Sequence, residues 1–85
     1  MIYVDDIQFY ATNFRYKYWC HMWSDTSIDE LHEFAKQLNL KIEWFQDKKR
    51  FPHYDLTTSK RNLALQSGAT YISLKEWLKQ QGAKK

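Results

Sequence analysis

Apolar and polar positions along the chain change period several times, and each change predicts an element. Ile2-Tyr3-Val4 is a short β-prone run closed by Asp5-Asp6. Residues 7–15 keep no period and read as a loop rich in Phe, Tyr and Asn. From Tyr16 to Trp23 the pattern has period two. Tyr16, Tyr18, Cys20 and Met22 share one face, and Lys17, Trp19, His21 and Trp23 share the other. This is a strand.

The period then lengthens. Ile28, Leu31, Phe34, Ala35 and Leu38 fall on one stripe of an amphipathic helix. Ser27 with Glu30 three residues on forms a capping box at its start, and Asn39 suits its end. Lys41 to Phe45 alternates and reads as a third strand, followed by a charged loop over 46–52. A second helix begins near Thr57 or Thr58 and stops at Gly68. Tyr71-Ile72 is a short strand. Ser73 and Glu76 cap a last helix with Leu74, Trp77 and Leu78 inward and Gly82 at its end.

The order is β-β-α-β-α-β-α. Strands separated by helices favour right-handed crossovers in a parallel sheet. The expectation is a small single α/β domain over residues 1–82, a mainly parallel sheet of about four strands packed with about three helices. Residues 83–85 should fray as a basic tail. A chain of 85 residues is one domain with a limited core. Its 4 Trp, 6 Tyr and 5 Phe can fill much of that core, with some left for stacking or a partner.

Charge adds a direction to this picture. Residues 1–30 carry a net −3, whereas residues 46–85 set nine Lys and Arg against Asp47, Asp55 and Glu76. A basic half suits an anionic partner such as nucleic acid, a nucleotide or an acidic protein. The plainer reading is an ordinary solvated surface. Cys20 is the only cysteine, so no intramolecular disulfide forms, and no apolar run is long enough to span a membrane. Both fit a reducing cytoplasm.

In parallel sheets ligands bind beyond the carboxyl ends of strands. Asp5-Asp6, Asp25 and the loop holding His53-Tyr54-Asp55 are expected on that rim. Ser59, Lys60 and Arg61 lie at the start of the second helix, where backbone N–H groups and cationic side chains can hold phosphate. The plainer reading there is N-capping beside two solvated cations. His53, Asp55 and His21 are the candidate acid–base residues. Asp5, Asp6 and Asp25 are the candidate ligands for Mg²⁺ or Mn²⁺, although carboxylates also commonly end strands. The scattered histidines and single cysteine match no standard zinc spacing. Cys20 and His21, adjacent on a strand, point to opposite faces and form no dyad.

Tyr3-Val4-Asp5-Asp6, His21-Met22, Asp25-Thr26, Glu30-Leu31-His32, Trp44-Phe45-Gln46, His53-Tyr54-Asp55-Leu56, Ser59-Lys60-Arg61 and Gly68-Ala69 occur in an order that resembles a family of small bacterial and phage proteins. That family is the domain of unknown function 4031. The resemblance spans about residues 2–76. It implies that the polar positions at the strand ends belong to a recurring pattern, and it implies no activity.

Three functions are open at this stage. The first is a module binding a phosphate-bearing ligand, nucleic acid or nucleotide, through His53, Tyr54, Asp55, Ser59, Lys60, Arg61 and His21. The second is a metal-dependent phosphoesterase or nuclease, with Asp5, Asp6, Asp25 and Asp55 on the metal and His53 or His21 as base. The third is a phage protein that binds a host protein through exposed aromatics.

Overall fold

A seven-residue strand organises the molecule. In the computed structural model, which describes residues 1–11, 17–48 and 50–83, this strand is β3 (Tyr18–Ser24). It pairs antiparallel with β1 (Ile2–Val4) on one side and with β5 (His53–Thr57) on the other. β2 (Gln8–Phe9) also pairs antiparallel with β3, so β1 and β2 form one arm of a hairpin interrupted at Asp5–Ile7. β4 (Phe45–Gln46) pairs antiparallel with β5, and β6 (Thr70–Tyr71) pairs parallel with β1. The sheet reads β4-β5-β3-β1-β6, with β2 beside β3.

The sheet is therefore mixed and six-stranded, rather than mainly parallel with four strands. Strands linked by helices do run in the same direction. β5 lies between β3 and β4, however, and β3 and β1 lie between β5 and β6. Only β1 and β6 are parallel neighbours.

Three further expectations change with it. Residues 8–9 are a strand rather than loop. Ile42–Trp44 form a 3₁₀ turn, closed by the Trp44 N–H on the Lys41 carbonyl, and only Phe45–Gln46 extend. The five-residue alternation was too short to separate a strand from an exposed turn. His53-Tyr54-Asp55 lie in β5, not in a loop. The aromatic loop expected over 7–15 falls partly, and the basic tail mostly, outside the described residues.

Helix boundaries follow local chemistry. α1 (Ile28–Gln37) opens with the Ser27 hydroxyl accepting the Glu30 N–H. The Glu30 carboxylate does not close the box on Ser27; it accepts the Ser24 hydroxyl, whose oxygen accepts the Thr26 and Ser27 N–H groups. Asn39 has φ 60° just beyond the helix. α2 (Thr58–Gln66) is capped by Thr57, and Gly68, at φ 112°, turns the chain towards β6. In α3 (Leu74–Ala83) the Ser73 hydroxyl accepts the Glu76 N–H.

One face of the sheet carries the core. Ile2, Val4, Cys20, Met22, Tyr54 and Leu56 project towards Leu31, Ala35 and Leu38 of α1 and Ala64 of α2. Full burial of each Leu, Ile, Met or Val contributes about 1.5–3 kcal/mol. The opposite face meets α3 through aromatic rings: Trp23 lies 5.6 Å from Trp77 and 5.1 Å from Phe51, and Tyr3 lies 5.0 Å from Trp77.

Candidate functional site

The strand register makes the site. His21 stands opposite Asp55 on β5, and on its other side the Asp5 N–H donates to its carbonyl. Cross-strand partners point to the same face, and so do residues two apart on a strand. Asp5, His21, Asp55 and His53 thereby meet on the face away from α1 and α2, next to Trp23 and Phe51.

Asp5 is the anchor. It is 1% exposed. Its Oδ1 accepts the His21 backbone N–H and its Oδ2 lies 2.6 Å from His21 Nδ1. A buried carboxylate is costly unless hydrogen-bonded, and here two donors satisfy it. The bond to Asp5 raises the His21 imidazole above its usual pKa, against the lowering effect of burial. The Asp5 carbonyl accepts the Arg61 Nε–H at 2.9 Å, so α2 is tied to the same residue.

His53 is buried and faces His21, with ring centroids 4.9 Å apart. Its ring stacks on Phe51, and its Nδ1 lies 2.7 Å from the Phe51 carbonyl. Its Nε2 lies 3.3 Å from Asp55 Oδ1. One ligand atom each from His21, His53 and Asp55 falls within 4.8 Å of the others.

The other expected residues are placed elsewhere. Tyr54 points into the core face, where its hydroxyl pairs with His32 Nδ1 at 2.8 Å. The Lys60 ammonium donates to the Leu38 carbonyl at the end of α1. Ser59 is exposed on α2, and Thr57 provides the cap instead. Asp6 accepts the Tyr71 hydroxyl. Asp25 follows β3 at the far end of the sheet, where it accepts the Met1 ammonium and a bond from Thr26. The ammonium bond leads in holding its carboxyl below the usual range. Asp5, Asp6, Asp25 and Asp55 are thus not gathered on one ion. The four carboxylates therefore do not form the shared metal site expected of them.

Cys20 faces the core, opposite to His21 as the alternation requires. Burial pushes its thiol up to about 12, which leaves it protonated and unreactive.

Two features of the site escaped the sequence reading. Asp5 is a partner for His21 rather than a ligand, and His53 reaches His21 across the sheet. The second was signalled by Tyr54 and Leu56, apolar at alternate positions between His53, Asp55 and Thr57, which is a strand pattern.

Sheet order, helix placement and cluster together define a small mixed α/β protein with a histidine–aspartate site on the sheet face away from α1 and α2. The chain belongs to the DUF4031 family, described as proteins of unknown function, whose model matches residues 2–84. No curated protein and no solved structure gives a significant match.

Proposed function

We propose that the protein binds a phosphate-bearing ligand, a nucleotide or nucleic acid, at the end of β1, where Asp5 links His21 on one sheet face to Arg61 of α2. One observation carries this reading. Asp5 fixes two basic side chains, His21 through its carboxylate and Arg61 through its carbonyl. Anchored imidazole and guanidinium groups bind phosphate oxygens with little loss of side-chain freedom. The reading moves phosphate recognition from the start of α2, where Lys60 is engaged with Leu38, to the end of β1. Ser59, on α2, remains open to solvent.

An NMR titration of isotope-labelled, chelator-treated protein with a mononucleotide and with a short single-stranded oligonucleotide tests it. Shifts should cluster at Asp5, His21, His53, Asp55 and Arg61. Affinity for the oligonucleotide should fall steeply with added salt. A silent spectrum with both ligands, or shifts confined to other surfaces, would overturn the proposal.

A further inference from the structure

The geometry points to a divalent transition-metal site formed by His21, His53 and Asp55, with Asp5 as the residue that orients His21. This inference goes beyond phosphate binding. It needs no phosphate ligand, and either proposal can fail alone.

One nitrogen of each ring is already occupied. His21 Nδ1 faces a carboxylate and His53 Nδ1 faces a carbonyl, both acceptors only. Each Nδ1 therefore carries the hydrogen, and each neutral ring keeps its lone pair on Nε2. A metal-binding histidine characteristically donates its other N–H to a carboxylate or a backbone carbonyl, which fixes ring and tautomer. Both forms of that support are present here. His53 Nε2 already faces Asp55.

One potential ligand atom from each of His21, His53 and Asp55 lies within 4.8 Å of the other two. Around an ion with bonds of about 2.1 Å such atoms would stand roughly 3.4 Å apart in tetrahedral geometry. Asp55 already stands 3.3 Å from His53 Nε2 and, being half-exposed, is free to turn towards His21. His21 and His53 are held by their outer bonds. Among the described residues this is the one group of three or more His, Cys, Asp or Glu side chains gathered so closely.

Donor chemistry selects the ion. Two imidazoles and one carboxylate suit zinc, cobalt, nickel or iron, whereas Mg²⁺ prefers oxygen ligands in an octahedron. Three protein ligands leave coordination positions for water or a phosphate oxygen, the pattern of zinc sites that do chemistry. This replaces the Mg²⁺ or Mn²⁺ expected from the carboxylates with a nitrogen-liganded ion.

The test uses the metal alone. Chelator-treated protein is titrated with Zn²⁺ and with Mg²⁺ by calorimetry, and with Co²⁺ by visible absorption. One equivalent of Zn²⁺ should bind, Mg²⁺ should give no binding, and Co²⁺ should develop the intense absorption of a low-coordinate nitrogen site. His53→Gln and Asp55→Asn, each checked for folding by circular dichroism, should abolish or strongly weaken the binding. Asp5→Asn should weaken it by about 10–100-fold. His32→Gln, on the opposite face, should bind as the unaltered protein does. The inference is overturned if Zn²⁺ does not bind, or if folded His53→Gln and Asp55→Asn bind as tightly as the unaltered protein.

Discussion

The two faces of the central sheet are made from the same strands by opposite rules. Along β3, Cys20 and Met22 enter a dry core beneath α1 and α2, while His21 and Trp23 enter a mixed layer of rings and ionisable groups. β5 repeats the division, with Tyr54 and Leu56 on one side and His53 and Asp55 on the other. The core face needs only volume and alternation. The other face holds a buried carboxylate and two imidazoles close together, packed against Phe51. Histidine itself marks the contrast. His32 pairs with the Tyr54 hydroxyl and contacts Phe45 at 4.6 Å, as a side chain filling an edge of the core. His21 and His53 have their Nδ1 atoms engaged and their rings 4.9 Å apart. The difference separates residues that hold the fold from residues that the fold holds.

The strongest test of this division is on the core side. Leu56 is 0% exposed and lies in the core beneath α1 and α2. Leu56→Ala should lower unfolding stability by about 2–5 kcal/mol, since it removes transfer energy and leaves a cavity. Urea titration should move the midpoint with little change in slope. A loss below about 1 kcal/mol would mean that this face is not close-packed. Cys20 provides a milder check from the same layer. Its thiol should stay unmodified by an alkylating reagent in the folded protein and react once urea unfolds it.

These two faces were not equally legible in the sequence. Alternation marked β3 and assigned Cys20 and His21 to opposite sides, and side-chain caps marked all three helices. Those signals are local, and the energies behind them are local too. Sheet adjacency is not local. The direction of helix-linked strands followed from the crossovers. That β5 would insert between β3 and β4 depends on which edges remain unpaired once the whole chain is folded. The site failed for the same reason. Asp5 and His21 are sixteen positions apart, and only the β1–β3 register brings them together. Asp25 seemed equally eligible as a strand-end carboxylate, but β3 runs opposite to β1 and carries it to the other end. Lys60 read as a free cation because nothing in the sequence announced the Leu38 carbonyl.

The second test addresses the anchor. In Asp5→Asn the amide can accept one of the two His21 N–H groups but presents a donor to the other. Leaving one buried donor unpaired should cost about 1–3 kcal/mol in metal-free protein. The cost should depend on pH in a defined direction. The folded pKa of His21 is raised, chiefly by its bond to Asp5. The pair's contribution is therefore fully present below the unfolded pKa of about 6.5 and is lost as pH rises through the folded value. The stability gap between the unaltered protein and Asp5→Asn should be widest in mild acid and narrow towards alkaline pH. A gap that widens with rising pH would mean that Asp5 does not favour the charged ring.

Asp55→Asn should have the smallest effect on stability and completes the comparison. Asp55 side-chain exposure is 41%, and its contact with His53 is 3.3 Å. Water screens such a pair, and exposed ion pairs contribute about 0–1 kcal/mol. The asparagine keeps the shape and can still pair with the ring. Unfolding stability without metal should therefore change by less than about 0.5 kcal/mol. If Asp55 is nonetheless required for Zn²⁺, the same substitution removes a ligand while leaving the fold intact. A large stability loss would instead assign Asp55 to the framework, alongside Asp5. The pair Asp5→Asn and Asp55→Asn thus separates the two kinds of acidic residue on this face: one buried and committed to His21, the other half-exposed and free to turn towards an ion.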